Sequence, residues 1–185
     1  MVIIIKLVQI KKYTGIGSRE TPDDILLFMN KIAHVLYKND YILRSGGSDG
    51  ADKAFEKPVK YNSKNKEIYL PWEGFNKNDS PLFNVSESAF KIASRFHPYW
   101  NSLKYTSKLL IGRNVYQILG FNLNEPSDFV ICWTKNGEEV GGTGTTIKIA
   151  KEYNVPVFNL FFPEIYNNIF NLLFKYYKII KKDDL

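Results

Sequence analysis

Short apolar segments alternate with longer amphipathic segments along most of this 185-residue chain. The clearest case is "DFVICW" (128–133), which precedes the glycine-bearing "GGTGT" (141–145) and a helical pattern that continues to about Tyr153. A continuous apolar run of this length is typical of a parallel strand that is covered on both faces. The repeated alternation predicts an α/β, Rossmann-like three-layer fold, in which helices flank a mainly parallel central sheet.

The same alternation predicts the other elements. Further strands are expected at "YILRS" (41–45), "EIYLP" (67–71) and "VPVFNL" (155–160), with another in the opening "MVIIIKLVQIKK" (1–12). Helices are expected over 21–39, 51–59, 85–121 with a break at His97–Pro98, and 163–182, the last of them amphipathic. Thr21 is expected to cap the first helix. Because no linker or internal repeat is evident, we expect a single domain over residues 1–185.

Composition narrows the classes of function. The net charge of +6 permits attraction to phosphates, whether on nucleic acid or on a small nucleotide. Cys132 is the one cysteine, which excludes an internal disulfide and a cysteine-rich zinc site. Neither His34 nor His97 has metal-ligand spacing, so we expect no metal and no cofactor. No window is apolar enough for a bilayer span, so we expect no membrane partner and a cytoplasmic location.

Three glycine-bearing loops follow predicted strands and therefore fall at one edge of the sheet. Glycine lets the backbone approach a ligand, and the helix that follows offers unpaired N–H groups to an anion. Three such loops at one edge favour a phosphate-containing ligand over simple tight turns. The expected ligand-binding residues in these loops are Gly15, Gly17, Ser18, Arg19, Ser45, Gly46, Gly47, Ser48, Asp49, Asp52, Gly141, Gly142, Thr143, Gly144 and Thr145.

Residues outside the glycines leave alternatives open. Arg113 and Asn114 lie on a predicted helix and suit either contact with phosphate or ribose or a surface salt bridge. Asp49 is expected to be the N-cap of helix 51–59 more than a ligand contact. Some aromatic side chains could stack a base, although core packing is the more common role; these are Trp72, Phe75, Tyr99 and Trp100.

Five segments together resemble the SLOG superfamily, over about residues 13–160. They are "YTGIGSRETP", "RSGGSDGADKAF", "GRN" (112–114), "SDFVICW" and "GGTGTTIKIA". That superfamily includes the DNA-processing protein DprA, the Lonely Guy phosphoribohydrolases and small stand-alone proteins, many of them in bacteriophages. The sequence is most similar to the stand-alone and DprA-like members. The resemblance implies a Rossmann-like sheet that binds nucleotides or nucleotide-derived ligands, a role for Arg113 and Asn114, and a homodimer or larger oligomer.

One departure from the family bears on catalysis. The Lonely Guy loop reads PGGxGTxxE, and its glutamate acts in cleavage of the N-glycosidic bond. Here Val140 replaces the proline and Lys148 replaces the glutamate. An ammonium would repel the positive charge that develops on the ribose during that cleavage. No catalytic residue is assigned, and the acids that could substitute for the missing glutamate are Glu138, Glu139 and Asp52.

Three functions follow as hypotheses. The leading one is binding of a nucleotide-derived small molecule, ADP-ribose-like or cyclic, for sensing or sequestration; a phage member would act on a host defence signal in the host cytoplasm. The second is a nucleotide N-glycosidase or phosphoribohydrolase. The third is DprA-like binding of single-stranded DNA, and nucleic acid is expected to be the less favoured partner because no arginine-rich stripe or winged-helix extension is evident.

Overall fold

A computed structural model describes residues 11–60 and 64–183, with the side chains of 177–183 left out. The predicted first strand falls mostly at residues 1–10 and so lies outside the described residues. Five strands form one sheet: β1 (Lys12–Gly15), β2 (Ile42–Ser45), β3 (Lys66–Ile68), β4 (Phe129–Cys132) and β5 (Val157–Asn159). Their order is β3-β2-β1-β4-β5, and every neighbouring pair is parallel.

This sheet confirms the predicted α/β, Rossmann-like fold. The chain moves outward from β1 to β3 on one side, then crosses back to place β4 on the other side of β1. Thr14 of β1 therefore has Arg44 of β2 as its partner on one side and Val130 of β4 on the other. Open parallel sheets bind ligands at the point where the strand order reverses, which here lies beyond the carboxyl ends of β1 and β4.

In the described part of the chain, six α-helices cover the two faces: α1 (Asp23–Lys38), α2 (Ala51–Glu56), α3 (Glu87–Ser94), α4 (Tyr105–Leu119), α5 (Gly141–Glu152) and α6 (Pro163–Asp183). The helix predicted over 85–121 is the pair α3 and α4, which are separated by a segment that includes the predicted His97–Pro98 break. The prediction that Thr21 caps α1 is wrong. Pro22 is the N-cap, and the Thr21 hydroxyl donates to the carbonyl of Ser18 at 2.6 Å.

Two apolar clusters lie on opposite faces of the sheet. One gathers side chains from α1, α2 and α6, and the other gathers side chains from α3, α4 and α5. Val130 and Ile131 of β4 belong to different clusters, because successive side chains of a strand point to opposite faces. This explains why the β4 sequence is apolar without alternation.

The C-terminal helix α6 packs on α1 through aromatic rings. The rings of Phe28 and Tyr166 have centroids 4.4 Å apart. Packing on the sheet layer is the role predicted for this amphipathic segment. Among the described residues, the structure has no helix with both the length and the apolarity needed to cross a bilayer.

Candidate functional site

A pocket of about 570 Å³ lies at the point where the strand order reverses. The loops that follow β1 and β4 form its floor, α5 begins at one side, and α4 forms another wall. The residues that line it include Arg113 and Asn114, the nearby Thr146, and eight of the residues predicted in the three loops; the eight are Gly17, Ser18, Arg19, Ser48, Asp52, Gly141, Gly142 and Thr143.

The first turn of α5 faces this pocket with free backbone donors. The Gly144 N–H donates to the carbonyl of Val140 at 3.0 Å, which is the first backbone hydrogen bond of the helix. The N–H groups of Gly141, Gly142 and Thr143 precede that bond and have no acceptor within the helix. Gly141 has a φ of +63°, and a Cβ there would meet nothing within 4 Å. The backbone is therefore open to an anion at this end of the helix.

The rest of the "GGTGT" motif turns away from the pocket. Gly144 and Thr145 are both buried and do not line it. The Thr145 hydroxyl donates to the carbonyl of Gly141 at 2.9 Å, and that of Thr146 to the carbonyl of Gly142 at the same distance. Thr145 therefore holds the turn, while Thr146, which the sequence did not single out, lines the pocket.

Arg113 is the buried cation of the pocket, with 4% of its surface exposed. Its Nη2 donates to Ser48 Oγ at 3.0 Å, and its Nη1 lies 3.5 Å from Asp52 Oδ2. With its amide oxygen turned toward Gly46, Gln117 accepts from Arg113 Nη1 at 3.0 Å and from the Gly46 N–H at 2.9 Å. Within the described part of the chain, Arg113 Nε has no acceptor. Arg113 thus lines the pocket as a buried cation that is held in place by α2, the second loop and Gln117.

Asn114 and Gln117 complete the α4 wall. Asn114 Nδ2 donates to the carbonyl of Gly142 at 3.2 Å, which ties α4 to the first turn of α5. Gln117 was not predicted from the sequence. The usable signal was its position four residues after Arg113, which places both on one face of a helix.

The second glycine loop uses its amides internally. The Gly47 N–H donates to Glu56 Oε1 at 2.9 Å, and the Ser48 N–H donates to Asp52 Oδ2 at 3.2 Å. The Gly46 N–H donates to the side-chain oxygen of Gln117 on α4, as described above. Neither Gly46 nor Gly47 lines the pocket, and neither does the buried Ser45. This loop therefore contributes Ser48 and Asp52 to the pocket, while the amides of Gly46, Gly47 and Ser48 are already used within the protein.

Two carboxyl groups one helical turn apart on α2 lie behind Arg113. Burial, together with the charge of Asp52, raises the pKa of Glu56 to about 7. Burial also raises the pKa of Asp52, and the charge of Arg113 opposes that rise. Burial lowers the pKa of Arg113, and the two carboxylates counteract it. The three groups form one electrostatic unit, although Glu56 itself does not line the pocket.

Other predicted residues of the first two loops lie outside the pocket. A Cβ on Gly15 would approach the Phe55 ring to 2.5 Å, so this glycine permits close packing of α2 on β1. The prediction that Asp49 caps α2 is wrong, because Gly50 holds that position and no side chain caps the helix. Asp49 is exposed and forms an ion pair with Lys53.

The candidate catalytic acids occupy three different settings. Glu138 is exposed and lines the pocket. Glu139 does not line it and forms an ion pair with Lys151 instead. Asp52 lines it but is bound to the Ser48 amide, as described. Lys148, which stands where the Lonely Guy motif has its glutamate, is partly buried and does not line the pocket.

A basic and aromatic surface adjoins the pocket, which we call the basic aromatic strip. No aspartate or glutamate occurs between residues 88 and 124, whereas five lysines or arginines do. Leu103 and Ser107 of this segment line the pocket. Tyr99 and Tyr105 are 71% and 68% exposed, and Lys108 Nζ lies 5.6 Å from the centre of the Trp100 ring. The strip consists of Tyr99, Trp100, Lys104, Tyr105 and Lys108.

The strip was not predicted from the sequence. The sequence feature that could have indicated it is the absence of aspartate and glutamate between residues 88 and 124, and not a cluster of arginines. The other aromatic residues considered as stacking candidates do not join it. Phe75 is buried and packs edge-on against Trp72, with ring centroids 5.1 Å apart. Trp72 does not line the pocket.

Comparison with known proteins gives similarity to solved structures alone. No known protein-family profile matches the sequence, and no curated protein matches it. DNA processing protein A from Helicobacter pylori, which binds single-stranded DNA, is 16% identical with a TM-score of 0.47; 80% of this chain covers 64% of that one. DprA from Streptococcus pneumoniae is 16% identical with a TM-score of 0.45, over 81% of this chain and 50% of that one. The chain thus spans less than two thirds of the length of either.

Proposed function

We propose that the protein binds the phosphate group of a nucleotide in the pocket at the strand-order reversal and holds it without hydrolysis. The observation that supports this is the meeting of free helix-start amides and a buried guanidinium at one pocket. The first turn of α5 offers free amides at Gly141, Gly142 and Thr143, and Arg113 adds a buried guanidinium whose Nε lacks an acceptor. Helix N-termini and arginine forks are both suited to phosphate oxygens.

The remaining walls suit the rest of a nucleotide. Leu103, Leu110 and Ile111 present an apolar surface on and before α4, against which a base could lie. The volume of about 570 Å³ is within the range of small-molecule sites. We therefore propose a small nucleotide-derived ligand, ADP-ribose-like or cyclic, that is held for sensing or sequestration.

Binding and recovery of the ligand test this function. Purified protein is titrated calorimetrically with ADP-ribose and with cyclic nucleotides, and the bound compound is recovered after denaturation. We expect binding of at least one compound and its recovery unchanged. Arg113→Gln is expected to weaken binding by about tenfold or more. Thr143→Glu, which adds a negative charge at the helix N-terminus, should do the same without opening the core. Arg95→Gln is the matched control, because Arg95 is exposed at the C-cap of α3 and does not line the pocket.

A second candidate is favoured by the basic aromatic strip. A mononucleotide in the pocket would leave Tyr99, Tyr105 and Lys104 unused, whereas a single strand could stack bases on them and place phosphates beside the lysines. The protein from Helicobacter pylori noted above binds single-stranded DNA. Fluorescence anisotropy with a short oligonucleotide separates the two candidates. If the protein binds the oligonucleotide with an affinity that falls steeply as salt rises, single-strand binding is supported. If it binds small nucleotides and not the oligonucleotide, the first candidate is supported.

A further inference from the structure

Arg113 is the main counter-charge of two carboxylates behind the pocket, and Arg19 is a further cation that acts on Arg113. Arg113 faces Asp52 and Glu56 of α2, and both carboxylates also accept backbone N–H groups of the loop after β2. Lys66 of β3 is the other cation that acts on Glu56. If an anion in the pocket takes up the positive charge of Arg113, the two carboxylates lose their main compensation in a buried setting. Two negative charges one helical turn apart are then costly unless one of them is protonated.

We propose that binding of an anion at Arg113 is coupled to the uptake of one proton by the Asp52–Glu56 pair. This rests on the proposed function, because it requires an anion in the same pocket. The pair titrates as a unit, so the proton belongs to the pair rather than to one residue. The free protein already has Glu56 poised near neutrality by burial. The geometric sign that an anion can act on this charge is that Arg113 itself lines the pocket.

The coupling gives a defined pH dependence. As pH falls toward the titration range of the Asp52–Glu56 pair, the pair becomes protonated before the anion binds. Binding then requires no further proton uptake. Affinity is therefore expected to rise as pH falls from about 8 to about 6, by at most about tenfold per pH unit for one proton. It levels off once the pair is protonated in the free protein. A pocket without this coupling would show no such slope.

Calorimetry with ADP-ribose measures the proton directly, since its diphosphate does not titrate near neutral pH. The binding enthalpy is compared in buffers of different ionisation enthalpy at neutral pH, and the slope gives the number of protons taken up. We expect an uptake of about half a proton by the unaltered protein at pH 7, because one group of the pair is already partly protonated in the free state. Glu56→Gln should bind with little proton uptake and a flat pH profile. This variant preserves the shape of a side chain that does not line the pocket and retains an oxygen for the Gly47 N–H.

A ligand-free measurement keeps the two proposals distinguishable. Carbon-13 NMR of the side-chain carboxyl groups should show one group of the Asp52–Glu56 pair titrating near neutral pH. Titration of both below about pH 5 would overturn the coupling, whatever binds in the pocket. Binding of ADP-ribose with no proton uptake would also overturn it and leave the proposed function standing. Absence of any anion binding would overturn both.

Discussion

The Cα of Gly144 faces the backbone of Glu139 so closely that a Cβ at residue 144 would overlap the Glu139 carbonyl. The obstacle is backbone, which cannot turn aside as a side chain does. We expect Gly144→Ala to displace the start of α5 and to lower the free energy of unfolding by about 1–3 kcal/mol. Urea denaturation followed by circular dichroism measures the loss.

Gly142 supplies the matched control for this prediction. A Cβ on Gly142 would meet Asn114 Nδ2 at 3.6 Å, which is ordinary contact. Gly142→Ala is therefore expected to leave the free energy of unfolding unchanged or slightly raised, because alanine favours the helix. Equal losses in the two variants would show that the spacing between residues 139 and 144 is not what requires glycine.

The buried arginine of β2 makes a second prediction about stability. Arg44 is fully buried; its Nε donates to Glu67 Oε2 at 2.7 Å and its Nη1 to the carbonyl of Glu125 at 2.6 Å. Arg44→Met removes the cation but leaves both acceptors, so we expect a loss of about 3–5 kcal/mol in the free energy of unfolding. Arg95→Met, at the exposed ion pair with Glu152, should cost less than about 1 kcal/mol. A small effect at Arg44 in the same urea experiment would contradict the role given to this network.

The same network predicts how stability depends on pH. Burial alone would raise the pKa of Glu67, but Arg44 and Lys12 outweigh it and hold the pKa below its ordinary value. A carboxyl whose pKa is lower in the folded state stabilises the fold above its unfolded pKa and loses that contribution as pH falls. We expect the free energy of unfolding to drop between about pH 5 and about pH 3, and to drop less in Glu67→Gln. Parallel pH profiles for the two proteins would contradict this.

The fold was predictable because strand and helix patterns are local, and β4 shows why the parallel sheet could be recognised. Only part of the candidate site was predictable from the sequence. The open backbone of Gly141 follows from its position at the start of a helix. The internal bonding of Gly47 does not, because it depends on Glu56, nine residues away and partly buried. The different roles of two glycines in one motif were not predictable either. Gly142 lines the pocket, whereas Gly144 allows α5 to pack closely on the backbone of Glu139.

The basic aromatic strip predicts binding of single strands that depends on salt. Lys104→Gln is expected to weaken the binding of an oligonucleotide, and to reduce the slope of log affinity against log salt by about 1. Tyr105→Ala is expected to cost about 1–3 kcal/mol of binding free energy through lost stacking. Lys31→Gln is the control, since Lys31 is exposed on α1 at the opposite face of the sheet. Fluorescence anisotropy over a range of salt concentrations measures all three. An equal effect of Lys31→Gln would show that net charge, rather than the strip, attracts the strand.

The position of Lys148 determines whether a glutamate at residue 148 could act in hydrolysis. Thr146 lines the pocket, and a residue two positions later on a helix lies about 200° around its axis. Lys148→Glu would therefore place a carboxylate away from the pocket, and we expect no release of free base from nucleoside monophosphates. Chromatographic detection of the base over long incubations is the measurement. Release of base by Lys148→Glu would show that this side chain reaches the substrate. Release by the unaltered protein that disappears in Glu138→Gln would instead assign hydrolysis to Glu138, the exposed acid at the pocket wall.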